Sequence, residues 1–136
     1  MIYMGFYGVG KTTCQNDKMV DLTDLGQPSL SILLDAVAKY PIVMCDPQYE
    51  FVVLESGLPF IVVIPTPDRK EEFLANYRER YKKGTGGGDD KFCSIIDKNW
   101  YDWLDYSRKL PAYATIQLEK GEWMIDAIKA IQGHTK

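Results

Sequence analysis

Apolar residues recur along this chain at two spacings, and the two spacings take turns. Short unbroken or alternating runs mark strands at Ile2 to Phe6, Met19 to Leu22, Ile42 to Cys45, Phe60 to Ile64 and Ala114 to Leu118. Ile42-Val-Met-Cys45 has no polar alternation, as expected of a strand covered on both faces. Phe60-Ile-Val-Val-Ile64 is the clearest of the five, a β-branched run bracketed by Pro59 and Pro65.

Helical spacing fills most of the gaps. After the turn Gly26-Gln-Pro-Ser29, Leu30, Leu33, Leu34 and Val37 fall on one helix face, and Pro41 ends the helix. Asp46 reads as the N-cap of the next helix, with Pro47 at its first position and Gly57 closing it. A long basic helix is predicted from Asp68 to about Lys83, with Phe73, Leu74, Tyr77 and Tyr81 as its apolar stripe. Gly84-Thr-Gly-Gly-Gly88 breaks it and reads as a mobile connector. A second long helix spans about Asp90 to Arg108, carrying Phe92, Ile95, Ile96, Trp100, Trp103 and Leu104 on one side. A last helix carries Trp123, Ile125, Ile128 and Ile131, with His134 in a tail expected to fray. Strands alternating with helices predict an α/β fold, a parallel sheet covered on both faces and joined by right-handed crossovers. The 136 residues form one domain, 1–136, without internal repeat.

The chemistry is concentrated behind the first strand. Gly5-Phe-Tyr-Gly-Val-Gly-Lys-Thr12 fits G-x-x-x-x-G-K followed by serine or threonine at every fixed position. The glycines let consecutive amides turn inward around a phosphate. A helix starting near Lys11 and stopping near Asn16 or Asp17 would point its N-terminus at the anion. Gly5, Tyr7, Gly8, Val9, Gly10, Lys11, Thr12 and Thr13 are therefore the expected phosphate-binding residues. Lys11 would reach the β- and γ-phosphates and Thr12 would bind Mg²⁺.

Charge and composition narrow the setting. A net charge of −3 gives no general pull toward nucleic acid or an acidic membrane, and no apolar run approaches membrane-spanning length. The chain opens on a strand, so no leader is expected. Cys14, Cys45 and Cys93 lie far apart, lack metal-ligand spacing and suggest a reducing, cytoplasmic compartment. Cys14, near the expected helix start, is read as a small core residue over a reactive thiol.

The loop, the five alternating strands and the arginine-bearing helix before the last strand resemble the nucleoside monophosphate kinase superfamily. More closely, GFYGVGKTT, MVDLTD, LESGLPFIVVIPTPDRKEEFLANYRER and IIDKNWYDWLD look like small phage-borne P-loop proteins described as adenylate-kinase-like. The likeness reaches to about Asp105; only its loop part is highly specific. It implies a three-layer α/β/α P-loop fold with strand order 2-3-1-4-5. It implies ATP and Mg²⁺, phosphoryl transfer to a small-molecule or monophosphate acceptor, and, for a phage protein, the host cytoplasm and a host protein as possible partner. A carboxylate ending the second strand would hold magnesium or orient the acceptor, and Asp21 and Asp24 stand there. Arginines of the lid helix would neutralise the moving phosphoryl group, and Arg78 and Arg80 stand there. The 68–90 segment is then the lid. The chain departs from larger kinases in a truncated first helix, a brief lid and the absence of a separate acceptor-binding insert.

Each candidate has a plainer reading. The charges of Arg78 to Lys83 also suit a solvated helix face balanced by Glu71, Glu72 and Glu79. Asp24 also suits a turn. Asp46 imitates a magnesium-binding strand-end aspartate, yet Asp-Pro before a helix favours capping. Trp100, Trp103 and Tyr106 sit at helical spacing and read as core before base-stacking. The family's adenine position falls at Lys120-Gly121, and the guanine-reading N-K-x-D is absent, which favours ATP over GTP. The expectation is a phosphotransferase, ahead of a nucleotide-binding regulator or weak NTPase, and ahead of an interaction module that hydrolyses nothing.

Overall fold

A computed structural model describes residues 1–11 and 14–134, without the side chains at 24, 133 and 134. Five strands, β1 (Ile2–Gly5), β2 (Met19–Asp21), β3 (Ile42–Cys45), β4 (Phe60–Pro65) and β5 (Ala114–Leu118), form one sheet in the order 2-3-1-4-5. All four pairings are parallel, and Tyr3 of β1 lies opposite Met44 and Ile61 of its two neighbours. Every residue of β1, β3 and β4 is buried. Successive side chains point to opposite faces, so the sheet centre is covered on both. This is the α/β architecture the alternation predicts, consistent with three layers.

The helices are α1 (Leu30–Lys39), α2 (Glu50–Ser56), α3 (Lys70–Lys82), α4 (Asp90–Arg108) and α5 (Met124–His134). Their ends follow local chemistry. Ser29 Oγ caps α1 by accepting from the Ile32 amide, and Asp89 caps α4 by accepting from the Phe92 amide. Asp46 accepts from the Gln48 amide at 2.9 Å and opens a 3₁₀ turn, Pro47–Tyr49, that leads into α2. Gly57 closes α2 in the left-handed region at φ 69°.

Two expectations fail. Among the described residues no α-helix follows the 5–11 loop; the first is α1. The Cys14 amide donates to the Lys11 carbonyl at 3.0 Å, and positions 12 and 13 of the expected helix lie outside the described residues. Five residues between Lys11 and Asp17 leave little room for a helix, and β2 must start at Met19. The inward faces also differ from the sequence stripes. Leu34, Tyr81 and Ile95 are exposed, while Ala36, Cys93 and Ala127 are buried, because small side chains let helices approach closely. The glycine connector is hydrogen-bonded to the last turns of α3. The Thr85 amide donates to the Arg80 carbonyl at 3.0 Å and the Gly88 amide to the Tyr77 carbonyl at 3.3 Å. A Cβ at Gly87, where φ is 73°, would meet the Tyr77 carbonyl oxygen.

Candidate functional site

The 5–11 loop leaves the carboxyl end of β1, the central strand, where parallel sheets hold ligands. Gly8 and Gly10 have φ of 85° and 94°, a region L side chains rarely enter. Other elements clamp the loop from outside. The Tyr77 hydroxyl of α3 donates to the Tyr7 carbonyl, and its ring lies 2.6 Å from where a Gly8 Cβ would stand. The Met124 amide, opening α5, donates to the Val9 carbonyl at 2.8 Å. The Val9 amide is spent within the loop, on the Phe6 carbonyl at 3.3 Å. Among the described residues, the amides of Tyr7, Gly8 and Lys11 donate to no protein acceptor.

Lys11 is folded back on its own loop. It is buried, and Nζ donates to the carbonyls of Gly5 at 3.2 Å and Phe6 at 3.1 Å. Burial pushes its pKa down; the nearby Asp21 and Asp46 carboxylates oppose that shift, and Arg80 adds to it. Asp21 ends β2 and Asp46 follows β3, so adjacent strands bring two buried carboxylates to the same lysine. Burial raises the pKa of Asp46, the Gln48 amide and Lys11 lower it, and Asp21 raises it. Burial also pushes the Cys45 thiol well up, which keeps it protonated and unreactive.

The structure thus gathers Lys11, Asp21 and Asp46, with Arg80 on the same side. It does not gather Arg78, which is exposed beside Lys82 and Lys91 on another face. Arg80 is half-buried and its Nη2 donates to the Thr85 carbonyl at 3.2 Å. Asp21 caps the 3₁₀ turn Leu22–Asp24, accepting from the Thr23 amide at 3.1 Å. Thr12, Thr13 and the Asp24 side chain lie outside the described residues. No cluster of three metal-ligating side chains occurs among the described residues. The two carboxylates offer hard oxygen donors, the kind Mg²⁺ takes one or two at a time while keeping its waters.

Of the three aromatics expected in the core, Trp100 is fully buried, with Nε1 donating to the Pro67 carbonyl at 2.9 Å, whereas Trp103 is half-buried and Tyr106 is exposed. Sequence reasoning missed Arg69, which read as one charge among many on a basic helix. Arg69 is buried, pairs with Glu72 through two bonds of 2.8–2.9 Å and donates from Nη1 to the carbonyls of Leu118, Glu119 and Glu122. It lies over the rings of Phe73 and Trp123, at 5.1 and 4.8 Å. It therefore locks the segment around Lys120-Gly121, the position the resemblance assigns to adenine. Tyr77 was read only as part of an apolar stripe, and nothing in the spacing foretells its hydroxyl bond to the loop. No family model, curated protein or solved structure matches the chain.

Proposed function

We propose that residues 5–12 form a P-loop that binds the phosphates of ATP with Mg²⁺, and that the chain is a phosphotransferase of adenylate-kinase-like architecture acting on a small acceptor. One observation carries this reading. An intact G-x-x-x-x-G-K-T sequence stands at the carboxyl end of the central strand of a parallel 2-3-1-4-5 sheet, with its lysine buried beside two strand-end carboxylates. The amides of Tyr7, Gly8 and Lys11 would bind phosphate oxygens. Lys11 would exchange the Gly5 and Phe6 carbonyls for those oxygens. Arg80 would neutralise charge on the transferring group. Asp21 and Asp46 would hold Mg²⁺ directly or through its waters, with Thr12 as a further ligand.

Calorimetry with Mg-ATP, followed by an ADP-formation assay over a panel of monophosphates and small hydroxyl compounds, tests this. The expected result is saturable binding that Lys11→Ala abolishes, with ADP released only when an acceptor is present. Absence of Mg-ATP binding would overturn the reading. A second reading, a nucleotide-binding regulator or weak NTPase, is favoured by the chain between β2 and β3, which holds one turn and α1 and no acceptor-binding insert. Binding without acceptor-dependent ADP formation would select it.

A further inference from the structure

A second concavity lies beside the loop, between the carboxyl end of β1, the turn that opens α2 and the last turns of α4. Its volume is about 200 Å³. Phe6, Tyr7, Trp103 and Tyr106 line it with aromatic surface, and Glu50 lines it with a carboxylate. Glu50 is 9% exposed, and its Oε2 accepts from the Tyr106 hydroxyl at 2.8 Å. Among the described residues that is the one hydrogen bond to its side chain, and no lysine, arginine or histidine forms an ion pair with it.

The rest of this carboxylate opens onto the cavity with no countercharge beside it, so a cation seated there would meet a largely buried negative charge that low-dielectric surroundings screen poorly. Aromatic faces attract the same cation through their quadrupoles, and several rings around one charge make the recurring site for organic ammonium ions. An anionic ligand would meet Glu50 as a like charge. The space suits a ligand with a single ring, since a dry cavity of about 150 Å³ accommodates benzene.

We propose that this pocket binds a small organic ammonium ion, its charged head against Glu50 and its apolar body among the aromatic side chains. This goes beyond phosphate binding at the loop and does not depend on it.

The test uses the full chain without nucleotide and three ligands of nearly equal shape: benzylammonium, benzyl alcohol and benzoate. Calorimetry measures affinity, and the Trp103 indole resonance reports the place of binding. The expected result is that benzylammonium binds and shifts Trp103, benzyl alcohol binds at least about tenfold more weakly, and benzoate does not bind. Glu50→Gln should remove the preference for ammonium over alcohol. Tyr106→Phe, which keeps the ring and the carboxylate, should retain it. Equal binding of ammonium and alcohol, binding of neither, or an unmoved Trp103 would overturn the proposal, as would a Glu50→Gln variant that keeps the preference. If Glu50→Gln does not fold, the comparison of the three ligands on the unaltered chain still decides.

Discussion

Arg69 and Lys11 are both buried cations at the carboxyl edge of one sheet, and the molecule holds them in opposite ways. Arg69 places donors on a carboxylate and three carbonyls and is flanked by two aromatic faces. Its planar fork is matched on nearly every side, so it can do nothing but join the start of α3 to the end of β5 and the 119–123 segment. Lys11 has two carbonyls, each at more than 3.0 Å, two carboxylates nearby and a pKa driven down by burial. A compact ammonium on a flexible stem can leave such partners for better ones. A buried cation with complete partners belongs to the fold, whereas one with replaceable partners is available for chemistry.

The largest test of this contrast is Arg69→Met. It should cost about 3–5 kcal/mol in urea unfolding, because Glu72 and three carbonyls lose their partner. Arg69→Lys should recover little, since an ammonium cannot reproduce the fork. Next comes Gly8→Ala. With φ at 85° and the Tyr77 ring 2.6 Å from the new Cβ, it should cost about 1–3 kcal/mol and weaken Mg-ATP binding. Lys11→Met removes a charge that is costly to bury but leaves the buried Asp21 and Asp46 carboxylates without their countercharge, so it should cost about 1–3 kcal/mol in stability, less than Arg69→Met because proton uptake by Asp46 can relieve the repulsion. It should nevertheless lower Mg-ATP affinity at least about tenfold. If Lys11→Met unfolds the chain as readily as Arg69→Met, the contrast is broken.

The smallest effect is in acid. Arg69 holds the Glu72 carboxyl below its ordinary pKa of 4.5. The folded carboxyl then takes up its proton at lower pH than the unfolded one. The stability from this pair is complete above pH 4.5 and is lost as pH falls through the folded value. Glu72 is 35% exposed, so solvent keeps the contribution small. Urea titrations from about pH 5 to pH 3 should show a shallower loss of stability in Glu72→Gln than in the unaltered chain.

How much could be read in advance varied with the range of the interaction. Strand β3 matches its sequence run at both ends, as does β5, and α4 begins and ends at Asp90 and Arg108 as its spacing predicts. The capping by Asp46 was equally legible, being an exchange between neighbours. The helix after the loop was not, since the motif calls for one and the spacing to β2 denies the room. The split between Arg78 and Arg80 was also hidden. Two residues apart on a helix, they point about 200° apart, and only the placement of α3 decides which one faces the loop.

The sequence by itself determined the alternation of strands and helices, their order and most of their ends, and the glycine-lysine loop behind the first strand. These follow from propensity, period and capping, all of which act within about a turn or a strand length. Tertiary structure alone decided which charges went inside and what met them. Arg69 finds its carbonyls 49 to 53 residues away, Tyr77 reaches Tyr7 across 70, and Tyr106 meets Glu50 across 56. No local pattern encodes partners at that separation, because they meet only after the sheet has fixed the positions of the helices.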